Sequence, residues 1–206
     1  MVEETFTSLI LRHSDSISLA EEYYDELLQR YSERSRYYHN LNHLKHLLLQ
    51  ILPLASQVDD MDAVLFALYY HDIVYRVMRR DNEERSAKLA SSRLKVLGLE
   101  DNRIDRCKKH ILATKSHEMS PDADTNFFTD ADLSVLGQDW LTYKSYTEAI
   151  RREYAIYPDM IYKPGRKKVI EHFLWMEKIF KTEPFFAKYE QQARINLARE
   201  LEELRQ

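Results

Sequence analysis

Two imidazoles stand four residues apart in Tyr38-His39-Asn40-Leu41-Asn42-His43, and a third stands beside a carboxylate in His71-Asp72. In a helix, a spacing of four puts His39 and His43 on one face. His71-Asp72 sits in the apolar run Ala67-Leu68-Tyr69-Tyr70-His71-Asp72-Ile73-Val74-Tyr75. A carboxylate there must be paired, hydrogen-bonded or metal-bound, because burying a lone charge is too costly. Alone, the dipeptide reads as a buried hydrogen-bonded pair. Together with the preceding histidines and the acidic stretch Asp130-Ala131-Asp132-Leu133-Ser134, it reads as a metal site assembled from separate helices. His43, His71, Asp72 and Asp132 are the expected ligands. Two neutral imidazoles and two carboxylates suit a divalent transition metal. Spacing alone leaves the choice between Asp130 and Asp132 open.

Other residues could serve the same chemistry. His39, one turn before a ligand, could reach a leaving-group oxygen as a general acid. His110 and His117 share a helical side but lie ~10 Å apart along the axis, too far to hold one ion unless the helix breaks. They are candidates for an outer shell or a second metal, and His117 stands near a helix end before Ser120-Pro121. Arg36, Arg76, Arg79 and Lys115 flank the motifs and could meet phosphate oxygens. Glu83 and Glu84 suit the positive end of a helix dipole, and Glu83 could also face the cleft.

The elements that must position these groups read as helices. Ser18 with Glu21 resembles a capping box for a helix through Tyr31. Asn40 is a candidate N-cap for a helix with Leu41, Leu44, Leu48 and Ile51 inward and Pro53 near its end. Asp60 or Asp62 could open a third helix, with Val64, Leu68, His71 and Tyr75 on one side. A fourth begins at Asn82-Glu83-Glu84 and stops near Gly98. Asp101 opens a fifth, with Ile104, Cys107 and Ile111 inward. Ser120 to Thr125 reads as a loop, followed by a short segment from Asp130 to Gly137. Three further helices are expected near Trp140–Tyr157, Arg166–Lys181 and Pro184–Leu204, punctuated by Pro164-Gly165 and Pro184. Phe173, Trp175, Met176, Ile179 and Phe180 read as core, and Glu200 to Arg205 as a solvated face.

The bulk composition agrees. The chain has 206 residues, of which 44% are hydrophobic, enough for a core. This points to one all-α domain over 1–206, with a C-terminal helical extension. Three glycines leave little material for phosphate-cradling loops, and neither GxGxxG nor a P-loop occurs. A net charge of −4 argues against general nucleic-acid binding. No apolar run approaches the ~20 residues that span a bilayer. Cys107 is the lone cysteine, so no internal disulfide forms, and the N-terminal stretch has no signal-peptide pattern. A reducing cytoplasm is the expected location.

The motifs resemble those of the HD superfamily of metal-dependent phosphohydrolases. The likeness runs through Arg36 to His43, His71-Asp72-Ile73-Val74-Tyr75, Asp81-Asn82-Glu83-Glu84, Ile111 to His117 and Asp130 to Ser134. It is similar to a bacterial-type branch of small HD proteins and, in YHN-x-x-H, the HD pair and ADLS, to cyclic-nucleotide phosphodiesterases. The resemblance implies an HD-type helical bundle holding one or two divalent ions (Mn, Fe, Zn, Ni, Co or Mg). It implies His43, His71, Asp72 and Asp132 as ligands, His39 as proton donor, and Asp72 orienting a metal-activated water. The substrate would be a phosphate ester of a nucleotide or related small metabolite. Tyr75-Arg76 departs from the phosphodiesterase pattern, so cyclic-nucleotide specificity is not implied. Two alternatives are an HD-type di-iron oxygenase, which needs extra histidines, and a non-catalytic metal-dependent nucleotide sensor.

Overall fold

The computed structural model describes residues 1–205 and is all-α, with no strand among them. Its helices are α1 (Val2–Leu11), α2 (Ile17–Tyr31), α3 (Leu41–Ile51), α4 (Met61–Tyr70), α5 (Asn82–Val96), α6 (Asp101–Ala113), α7 (Ala123–Leu133), α8 (Trp140–Glu153), α9 (Asp159–Trp175) and α10 (Glu183–Glu203). The backbone groups into two compact units, residues 1–129 and Asp130 onward. No described helix is long and apolar enough to cross a membrane.

In the first unit α4 is the axle. Every residue from Ala63 to Tyr70 is buried. A helix apolar all round must be enclosed, and α4 packs against α1, α3, α5 and α6. Each large aliphatic side chain buried this way contributes about 1.5–3 kcal/mol. Asp60 caps α4 by accepting from the Ala63 amide at 3.0 Å. Buried Asp124 accepts the Asp59 and Asp60 amides at 2.9 and 2.8 Å, which fixes the entry to the helix. α4 ends at Tyr70, with His71 as its C-cap, so the expected extension to Tyr75 does not form. The break is what lets Asp72 and Tyr75 turn off the helical path.

Other boundaries follow local chemistry. Ser16, not Ser18, caps α2, accepting from the Leu19 amide at 3.2 Å. Asn40 caps α3, accepting from the Asn42 amide at 2.9 Å. Gly98 takes φ +73° after α5, and the Leu99 amide reaches back to the Leu94 carbonyl at 3.1 Å. The helix α1 was not anticipated, yet it buries Phe6, Leu9 and Ile10.

In the second unit, α10 packs on α9 and on a 3₁₀ turn, Ser134–Gly137, which α8 also contacts. Gly137 is required by close approach: a Cβ there would lie 2.5 Å from the Tyr189 Cβ and 2.6 Å from its carbonyl oxygen. Three expectations fail along the later chain. α7 already begins at Ala123, so part of the expected Ser120–Thr125 loop is helical. α9 begins at Asp159 and carries Pro164 inside it. Near a helix start the missing amide and the crowded carbonyl affect only the first turns. Trp175 ends that helix 88% exposed, although Ile179 and Phe180 of the same stripe are fully buried.

Candidate metal centre

The first unit assembles its motifs around the two ends of short helices. Asn40 sets the start of α3, and His43 lies in its first turn, almost fully buried. His39 precedes the cap and is not helical, so the one-face argument from spacing does not hold. The chain turn before Asn40 nevertheless brings the His39 and His43 rings to 5.8 Å. Asn40 Nδ2 also donates to the Tyr37 carbonyl at 2.9 Å, tying the turn to the cap. The Tyr38 ring packs 5.0 Å from His39 and 4.9 Å from His43.

His71 Nδ1 lies 2.8 Å from the Leu68 carbonyl oxygen. A carbonyl only accepts, so Nδ1 carries the proton and the lone pair of a neutral ring sits on Nε2. That Nε2 faces His43 Nε2 at 3.1 Å. The Asp72 Oδ2 atom lies 3.0 Å from His71 Nε2, 3.9 Å from His43 Nε2 and 3.9 Å from His39 Nε2. With metal–ligand distances of about 2.0–2.1 Å, neighbouring ligand atoms around one ion stand roughly 3–3.4 Å apart. The His43–His71 and His71–Asp72 distances match that spacing, the His43–Asp72 distance of 3.9 Å exceeds it, and the nitrogen–carboxylate donor set fits a divalent ion. Burial pushes the Asp72 carboxyl up, and the imidazoles of His71, His39 and His43 more than reverse this, holding it well below the usual range.

A polar frame holds this cluster. Arg36 is buried, and its guanidinium donates to the carbonyls of His39 at 3.2 Å, Asp72 at 2.6 Å and Ile73 at 3.0 Å. Sequence reasoning offered Arg36 to phosphate oxygens. The fold turns it onto the backbone, where it ties the two motifs together. Its guanidinium also lies over the Tyr31 and Tyr75 rings, at 4.9 and 5.6 Å. Asn82 and Ser86 clamp the segment after Asp72. Asn82 bonds the Arg76 amide and carbonyl at 3.1 and 3.0 Å, and Ser86 Oγ bonds those of Val74 at 3.1 and 3.3 Å. Sequence reasoning missed both clamps. Nothing in a helix-starting Asn-Glu-Glu-Arg-Ser marks which of its polar groups turns back onto a loop.

The remaining candidates fall elsewhere. His110 is fully buried, with Nδ1 2.8 Å from Thr125 Oγ1, which in turn donates to Asp122 at 2.9 Å. Phe128 packs 5.7 Å from the His71 ring and 6.5 Å from His110, so an aromatic ring contacts both. Burial lowers the His110 pKa to about 4, only partly offset by Asp122. His117 lies beyond the end of α6, half-buried, with φ +54°. Arg76 pairs with Glu33, and Lys115 with Glu84, both at the surface. Glu83 is half-buried in the first turn of α5.

In the second unit, Asp130 is fully buried and accepts from the Lys181 and Thr182 amides at 2.9 and 2.7 Å, from Lys181 Nζ at 3.2 Å and from the Thr182 hydroxyl at 2.8 Å. Its oxygens are committed to that chain segment. Asp132 is half-buried two residues on. Two positions turn a helical side chain by roughly 200°, so Asp132 leaves the face that Lys181 and Thr182 occupy.

No family model, curated protein or solved structure matches the chain.

Proposed function

We propose that this protein is a metal-dependent phosphohydrolase of the HD type, acting on a phosphate ester of a nucleotide or related small metabolite. The observation that carries this is the meeting of His43 Nε2, His71 Nε2 and Asp72 Oδ2 within 3.0–3.9 Å, with His39 at the rim. Asp132 supplies the further carboxylate in this reading, as the resemblance of Asp130 to Ser134 to the HD pattern implies. The commitment of Asp130 to Lys181 and Thr182 supports that choice.

A divalent ion held by these residues would activate water and offset charge on phosphoryl oxygens. The protein's own groups do the rest. The Leu68 carbonyl keeps His71 in the tautomer that presents Nε2. Asp72 adds negative charge that favours cation binding, and its Oδ2 lies 3.9 Å from His39 Nε2. His39 packs at a tilt against Tyr75 with ring centroids 4.2 Å apart, and its side chain is 19% exposed. It is thus oriented yet open to a ligand, and it donates the proton to the departing alkoxide.

The test is a metal-by-substrate screen. Metal-stripped protein is reloaded with Mn, Fe, Co, Ni, Zn or Mg and offered phosphate monoesters, diesters, pyrophosphates and nucleotides. At least one ion should restore hydrolysis. Nucleotide binding without turnover under every ion would instead make the protein a sensor, and oxygen consumption with two bound irons would make it an oxygenase.

A further inference from the structure

A cleft of about 180 Å³ opens in the first unit along Ile73 to Arg76, the segment that follows His71-Asp72. Its walls carry Arg30 and Glu33 around the end of α2, Tyr75 and Arg76 after the His-Asp pair, Arg79, and Arg85 from α5. Four guanidinium groups therefore line it against one carboxylate. Arg76 pairs with Glu33. Arg85 bonds Asp81 at 2.6 Å, and Arg79 stands 3.8 Å from the same carboxylate. Arg30 has no ion-pair partner among the described residues. Counting Asp81 with Glu33, two positive charges remain uncompensated.

The cleft is positioned, not a chance gathering of surface arginines. The Asn82 and Ser86 clamps fix the backbone of Val74 and Arg76. Tyr75 lines the cleft and its ring also packs tilted against His39, so the cleft and the cluster share a wall. Guanidinium forks match phosphoryl oxygens in shape and charge. Its volume is below the ~300–1,000 Å³ that encloses a whole drug-sized ligand, so it suits one charged group of a larger molecule.

We infer that this arginine cleft seats a phosphoryl or pyrophosphoryl group of a small ligand whose other end reaches the His/Asp cluster past Tyr75. Resting on the hydrolase reading, this narrows the substrate class to small molecules with at least two phosphoryl groups, one held in the cleft and one presented for cleavage.

The experiment titrates metal-free, full-length protein with inorganic pyrophosphate by calorimetry. The proteins compared are wild type, Arg30→Gln, Arg79→Gln, the double variant and His43→Ala. Thermal melts check that each is folded, which the surface position of the arginines favours. Wild type should bind saturably, the double variant about tenfold or more weaker, and His43→Ala like wild type. No binding by wild type, or equal binding by the double variant, overturns the cleft. So does binding that His43→Ala abolishes and the double variant keeps, because the anion then sits at the His/Asp cluster. Turnover of p-nitrophenyl phosphate by metal-loaded wild type is measured in parallel. Absence of turnover there and on every pyrophosphate and nucleotide of the metal-by-substrate screen would sink the hydrolase reading, while the titration still decides the cleft.

Discussion

In the second unit, Arg166 and Glu200 are both buried and meet through two hydrogen bonds, of 2.7 and 2.9 Å. Tyr143 donates its hydroxyl to the same carboxylate, and Arg166 also reaches the Tyr146 oxygen at 3.3 Å. One positive and one negative charge meet there, and each of these hydrogen bonds runs from a donor to an acceptor oxygen. In the first unit, His43, His71 and Asp72 bring two imidazole nitrogens and a carboxylate oxygen face to face. With His71 protonated on Nδ1, this group is rich in lone pairs. Both clusters are buried and both contain ionisable groups. A closed balance of donors and acceptors marks a structural tie, whereas converging imidazole nitrogens and a carboxylate are the donor set that would suit a cation. Burial of charge by itself does not distinguish them.

The largest test of that contrast is at the histidines. His43→Ala should lose metal and hydrolysis together, measured by elemental analysis and a phosphate-release assay. His39→Ala should keep its metal and slow turnover by ~10²–10⁴-fold, with a smaller loss on p-nitrophenyl phosphate, whose leaving group needs little protonation. Loss of metal from His39→Ala would make it a ligand. Full activity on a poor leaving group would remove its role as acid.

Next is the structural tie. Glu200→Ala leaves a buried guanidinium without its partner and should destabilise the protein by about 3–5 kcal/mol in denaturant titrations. Metal stoichiometry should not change. A stable variant that failed to take up metal would contradict the division drawn here.

A third test uses pH. The folded-state pKa of His110 is lowered to about 4 from the ordinary 6.5. Between those values the unfolded chain binds more protons than the fold, so stability falls as pH drops from 6.5 and the loss is complete below about 4. The shift corresponds to about 3 kcal/mol. His110→Asn should flatten the pH dependence of stability over that window. An unchanged slope would show that other groups carry it.

The smallest expected effect is at the cap. Asn40→Ala should cost about 1 kcal/mol, read from thermal melts. If metal affinity falls by more than that loss of stability accounts for, the cap orients His43 as well as starting its helix.

The sequence alone determined the helical class, the Asn40 cap, the Gly98 stop, the start of α6 and both ends of α10 to within a residue or two. These are set by local chemistry: a side chain that accepts a nearby amide, or a residue that tolerates positive φ. Periodicity also placed Leu44, Leu48 and Ile51 inward, where they are fully buried. Long-range partners were not legible. Arg36 reads as a surface cation until the backbone of Asp72 and Ile73 is brought against it. Glu200 reads as part of a solvated tail until Arg166 is placed beside it. Asp130 and Asp132 are equivalent in spacing and part only when Lys181 and Thr182 occupy one of them. The same holds for His39 and His43. Their types announced the chemistry, but a chain turn rather than a helical face brings them together. Residue types and short spacings report local geometry, whereas which donors meet which acceptors is decided only when distant segments fold against each other.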